Sequence, residues 1–143
     1  MYLISIKMIK KKPLVLALVF LLLFSSPLIA LDNLYKAELE RVIDGDTIVV
    51  DLDLGLGIRL DDQHVRLYRI DAWEVTGENK EKGLEAKEYL LERLVEGEII
   101  IGISPEWGRD GKDAFGRWLG VVYVDGVNMN DELVEKGHAE EYK

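Results

Sequence analysis

The hydrophobic period of this chain switches from strand-like to helical and back, and that switch limits the folds open to it. Over residues 35–70 the apolar residues come in short runs rich in β-branched side chains, broken by Asp and Gly. Then Ala86, Tyr89, Leu90 and Leu94 recur at the spacing of one helical face. After Gly97 the strand-like runs resume. The pattern predicts strands over residues 35–43, 47–52, 64–70, 99–104 and 117–124, and a helix over residues 82–95. Asp44-Gly45-Asp46 reads as a turn or bulge, and residues 53–63 as a long, glycine-containing excursion. Asp125-Gly126 is a turn, after which Asn130 is placed to cap a short helix over residues 131–136 that Gly137 closes. This order is compatible with an α+β fold: a five-stranded OB-fold β-barrel with one main helix between strands 3 and 4 and a short C-terminal helix.

Residues 1–30 differ from the rest. They hold Lys7, Lys10, Lys11 and Lys12 and no acidic residue, then an apolar run over residues 14–24, then Ser25, Ser26, Pro27 and Ala30. A basic start, a short apolar stretch and a small-residue end make the layout of a secretory signal peptide. The other reading is a retained N-terminal membrane anchor, which needs about 20 predominantly apolar residues. Either way residues 31–143 form a single domain that faces outward: secreted, periplasmic or cell-surface. Cysteine is absent, which excludes thiol catalysis and zinc–thiolate sites.

The whole chain carries −9, but the leader takes four of the 18 basic residues, leaving 14 against 27 acidic ones, a balance of −13. That opposes a tight nucleic-acid binder, whose affinity comes mostly from basic groups on phosphates. It is compatible with an enzyme that turns over a weakly held substrate.

Three clusters carry candidate chemistry. Asp44-Gly45-Asp46-Thr47 sets hard carboxylate ligands in a tight turn. In Arg66-Leu67-Tyr68-Arg69-Ile70-Asp71-Ala72-Trp73-Glu74, strand alternation sets Arg66 and Arg69 on opposite faces, so a turn before Asp71 is required for Asp71 to meet Arg66. Asp113-Ala114-Phe115-Gly116-Arg117 is a loop ending in an arginine at a strand mouth. Each alone reads more readily as an ordinary turn or a solvated face. Together they supply what phosphodiester hydrolysis needs: carboxylates to hold a charge-neutralising cation, arginine forks for phosphoryl oxygens, and a free carboxylate to take a proton from water.

These stretches, with Val127-Asn128-Met129-Asn130 through Leu133-Val134 and Lys136-Gly137, occur in the order found in the staphylococcal nuclease (thermonuclease) family, and the chain resembles that family across nearly all of residues 35–142. The resemblance implies an OB barrel with helices and calcium-dependent endonucleolysis of DNA and RNA, leaving 3′-phosphate and 5′-hydroxyl ends. It implies Ca²⁺ held by the carboxylates of Asp46 and Asp71 and the backbone carbonyl of Ala72. Glu74 would be the general base, Arg66 and Arg117 the phosphate-binding arginines, and Asp44 a supporting acid. The implied partner is a nucleic-acid substrate, with a monomer expected and no obligate protein partner. Departures from the family pattern are Ala72-Trp73 in place of Thr-Pro, Phe115 where a tyrosine is common, and no counterpart to the family's last helix. Two other readings stand beside this one: a non-catalytic OB module that binds nucleic acid or a protein partner, and a calcium-stabilised envelope domain.

Overall fold

A computed structural model describes residues 33–142. The expected leader lies outside these residues. Eight strands and two helices follow in chain order: β1 (Leu34–Asp44), β2 (Thr47–Gly55), β3 (Ile58–Leu67), β4 (Ile70–Ala72), α1 (Lys80–Glu96), β5 (Ile99–Gly102), β6 (Trp118–Val124), β7 (Val127–Asn128), α2 (Met129–Glu135) and β8 (Ala139–Glu141).

The five longer strands close a barrel. Their order is β3-β2-β1-β5-β6, antiparallel neighbours throughout, and a parallel pairing of β3 with β6 joins the two edges. Closure leaves no edge strand exposed along the barrel. β4 and β8 make a separate two-stranded ribbon. Ile48, Val50, Leu52, Val65, Leu67, Ile101, Val122 and Val124 fill the barrel, and Leu90 and Leu94 of α1 close one end of the same core. The fold is thus the α+β barrel expected from the sequence.

Three local expectations need correction. The excursion over residues 53–63 is not a loop. β2 and β3 continue through it as one long hairpin, with Gly55, Leu56 and Gly57 all at positive φ in the turn. The third strand therefore starts at Ile58 and stops at Leu67, short of the expected Ile70. Its alternation had been masked by the polar run Asp61-Asp62-Gln63 on an exposed ribbon.

The cap of α2 is Asn128, not Asn130. The Asn128 side chain accepts hydrogen bonds from the amides of Asn130 and Asp131. Asn130 instead is buried. Its Oδ1 accepts from the Val122 amide at 3.0 Å, and its Nδ2 donates to the carbonyls of Tyr68 at 3.0 Å and Gly120 at 3.1 Å. Burying an amide is tolerated because its hydrogen-bonding groups find partners.

Candidate active site at the barrel rim

The β1–β2 turn brings the first acids in. Asp44 Oδ1 accepts from the Asp46 amide at 3.1 Å, an Asx turn within the hairpin. Gly45 sits where α1 and β4 converge. A Cβ there would stand 2.7 Å from the Ala86 Cβ and 2.8 Å from the Ala72 Cβ, so only a residue without a side chain lets the turn enter.

Asp46 is 6% exposed. Its Oδ2 accepts from the Ala72 amide at 2.6 Å and pairs with Arg66 Nη1 at 3.0 Å. Its Oδ1 accepts from the Thr47 hydroxyl at 3.1 Å. Burial pushes the Asp46 carboxyl up to about 6; the Ala72 amide and Arg66 pull it down, and Asp44 adds to the rise.

Arg66 lies at the end of β3, opposite Thr47. Its Nη1 also donates to the carbonyls of Leu67 at 3.2 Å and Ile70 at 2.8 Å, and its Nη2 meets Asp71 Oδ1 at 2.9 Å. The turn that strand alternation required is present. Arg69 adopts φ 61°, and the chain reverses between Leu67 and Ile70. A non-glycine residue at positive φ is strained. The turn is held by Tyr68, whose amide donates to Gly120 O and whose carbonyl accepts from the buried Asn130.

Glu74 follows β4 and is exposed. Arg117 enters just before β6, the strand that pairs with β3, and follows Gly116 at φ 81°. Its Nε donates to Asp113 Oδ2 at 2.7 Å, and its Nη1 reaches the Thr47 hydroxyl at a long 3.5 Å. Asp113 Oδ1 accepts from the amides of Phe115 at 2.9 Å and Arg117 at 3.0 Å. Partial burial works against the Asp113 carboxylate, but the hydrogen bonds from Arg117 and Phe115 outweigh it and hold the pKa below its ordinary value.

Every expected site residue lines one cleft of about 230 Å³: Asp46, Arg66, Asp71, Ala72, Glu74 and Arg117, together with Asp44 and Trp73. Among the described residues, no three His, Cys, Asp or Glu side chains stand close enough to hold a metal ion by themselves. The donors that could hold one are the Asp46 and Asp71 carboxylates and the Ala72 carbonyl. All are hard oxygens, a set that suits Ca²⁺ or Mg²⁺ rather than zinc. Asp71 gives Arg66 only its Oδ1, and its side chain is 65% exposed, so it is open to a further partner.

Residues 64–143 match the family model of staphylococcal nuclease homologues. The chain belongs to the staphylococcal nuclease family. It is 31% identical over 103 residues to the thermonuclease of Staphylococcus intermedius, covering 70% of this chain and 55% of that protein. It is also 31% identical over 102 residues to the thermonuclease of Staphylococcus hyicus, covering 69% and 54%. The chain therefore spans about half the length of the relatives it matches.

In this member of the staphylococcal nuclease family, the matched segment holds Arg66, Asp71, Ala72, Glu74 and Arg117, while Asp46 precedes it. Three residues that shape the site are not marked as such by the sequence. Thr47 links the acidic half of the cleft to Arg117. Asp113 orients Arg117, and its spacing of four residues from that arginine was a readable signal. Asn130 pins the turn behind Arg66, and nothing local marks it as more than a helix cap. Trp73 lines the cleft, and Lys82 Nζ lies 4.7 Å from its ring centroid, covering one face. Phe115 is 85% exposed, with Arg117 Cζ 5.5 Å from its ring centroid.

Proposed function

We propose that the domain is a calcium-dependent endonuclease that hydrolyses phosphodiester bonds in DNA and RNA, leaving 3′-phosphate and 5′-hydroxyl ends, and that it acts outside the cytoplasm. The observation that carries this reading is the meeting of Asp46, Arg66, Asp71, Glu74 and Arg117 in one cleft. Family membership and the thermonuclease relatives support a nuclease, and the leader's sequence supports export.

Asp46, Asp71 and the Ala72 carbonyl would hold Ca²⁺, which when bound supplies positive charge against the phosphoryl oxygens. Glu74, exposed and facing the cleft, takes the proton from the attacking water. Arg117 is aimed by Asp113 and offers its Nη groups to a phosphoryl oxygen. Arg66 has both Nη groups engaged, so it releases Asp71 when it binds phosphate. Nη2, freed in this way, donates to a phosphoryl oxygen while Nη1 stays anchored to Asp46 and the Leu67 and Ile70 carbonyls.

Plasmid DNA and a single-stranded RNA, each incubated with calcium and again with excess chelator, test the proposal. Cleavage with calcium that stops with chelator, and product ends that a 3′-phosphatase can trim, are expected. No cleavage of either polymer across pH and calcium overturns it. The −13 balance of residues outside the leader favours a second reading, a non-catalytic OB module, and binding without cleavage in the same assay would establish that instead.

A further inference from the structure

The β2–β3 hairpin ends in an apolar tip that nothing among the described residues covers. Leu54, Leu56 and Ile58 are 41%, 101% and 55% exposed. The turn itself offers no reason for a leucine at its apex. Leu56 adopts φ 55°, between Gly55 at 80° and Gly57 at 79°, a conformation that glycine or asparagine takes at lower cost. The side chain at residue 56 thus adds backbone strain and exposed apolar surface, and neither is offset inside the fold.

The tip stands on a braced stalk. Arg59 Nη2 pairs with Glu38 at 2.9 Å and Asp51 at 3.1 Å, tying β3 to β1 and β2 just behind the turn. The Gly55 amide donates to Asp53 Oδ1 at 2.8 Å. A stiff mount presents apolar side chains at no further ordering cost.

The position of the tip indicates its occupant. Lys36 is paired with Asp53, so the chain enters the barrel at Leu34 beside the tip, and Leu34 is itself 42% exposed. The residues just upstream of that entry are the leader, with its apolar run over residues 14–24. β2 runs 9 residues from the cleft at Thr47 to the tip at Gly55, roughly 25–30 Å at ~3.3 Å per residue. Outside the leader the domain is strongly acidic, and Asp51, Asp53, Asp61 and Asp62 lie behind the turn, which opposes an anionic surface. No described helix is long and apolar enough to cross a membrane.

We propose that Leu54, Leu56 and Ile58 seat in the interface of an uncharged lipid bilayer, with the cleft at the far end of the hairpin. The contact is shallow, because the turn's amides and carbonyls must stay within reach of water or headgroups. It is apolar, so added salt does not weaken it. The inference is independent of the catalytic reading.

Because the chain lacks cysteine, a single label can be placed without other changes. Full-length chain carrying Leu56→Cys, labelled with an environment-sensitive fluorophore, is reconstituted in phosphatidylcholine vesicles. The label at residue 56 is expected to shift to the blue and to be quenched by lipids bearing a shallow nitroxide. The same label at Glu78→Cys, in the loop after Glu74, stays water-like. Adding Leu54→Asp and Ile58→Asp to the labelled chain removes the blue shift and leaves thermal unfolding unchanged. Water-like emission at residue 56 on vesicles overturns the proposal. So does a blue shift that survives both aspartates, since the leader alone would then explain it. A shift that grows with protein concentration and ignores vesicles also overturns it, in favour of a second copy of the chain.

Discussion

The α-carbon of Gly83 faces the backbone carbonyl of Glu74 so closely that a Cβ at residue 83 would stand 2.1 Å from that oxygen. The helix following the cleft thus acts as a stop for the loop that carries the proposed base. Alanine favours a helix over glycine by about 1 kcal/mol, so Gly83→Ala leaves α1 formed while pushing Glu74 outward. A misplacement of ~1 Å is enough for a rate loss on the order of 10²-fold. Steady-state cleavage together with far-ultraviolet circular dichroism checks this: activity falls and helix content holds. Unchanged turnover would mean that the loop absorbs the methyl group without moving Glu74.

Glu74 itself has a sharper expectation. Glu74→Gln keeps size and polarity but cannot accept the water's proton. Turnover should drop on the order of 10²–10⁴-fold, with thermal unfolding unaltered because the side chain is exposed. Full activity of the purified variant would assign the base elsewhere.

Arg117 and Asp113 form an oriented pair. Arg117→Ala removes a charge that stabilises the transition state and should cost on the order of 10²–10³-fold. Asp113→Ala leaves that charge but frees the guanidinium and two loop amides. A smaller loss is expected, expressed in both KM and kcat. An Asp113→Ala defect equal to that of Arg117→Ala would show that orientation, not charge alone, carries the effect.

Calcium should stabilise the domain if Asp71 is a ligand. At 100 times its Kd a ligand adds about 2.7 kcal/mol, a rise in Tm on the order of 10 °C for a domain of this size. Asp71→Asn should abolish most of that rise, and chelator should return the parent protein to its calcium-free Tm. Scanning calorimetry with and without calcium reads both. An Asp71→Asn protein that keeps the full calcium-induced rise would remove Asp71 from the ligand set.

The α1–α2 contact sets an acid limit on stability. Hydrogen bonds from Arg93 and then Tyr89 hold the Glu132 carboxyl below its ordinary value of 4.5. A folded-state pKa below the unfolded one means the contribution is fully present above the unfolded value and fades as pH falls through the folded value. Glu132→Gln should therefore lower Tm by roughly 5 °C near neutrality, and the gap to the parent should close as pH falls below 4.5. Thermal melts across pH 3–8 follow it. A gap that stays constant over that range would contradict the assignment.

The barrel was legible in sequence because its periods are local. β-branched runs predicted all five long strands, and the recurrence of Ala86, Tyr89, Leu90 and Leu94 predicted α1. The boundaries that failed did so where the strands leave the core. At residues 58–63 exposure on both faces removes the apolar alternation that marks a strand. At Asn130 the same residue type serves a helix cap and a buried bridge equally well. The short ribbon of β4 and β8 pairs three residues with three, too few to leave a periodic trace.

Residue types and spacing alone determined the barrel class, the cysteine-free, acid-rich chemistry and the set of candidate acids and arginines, because each depends only on composition or on near neighbours. Whether those side chains meet was decided by tertiary structure. Asp46 comes from the β1–β2 turn and Arg66 from β3, Asp71 reaches Arg66 only because Arg69 takes a left-handed turn pinned by Asn130, and Arg117 arrives across the closing β3–β6 pairing. The closure and the buried amide behind that turn depend on contacts between residues far apart in the chain, and no local pattern encodes them.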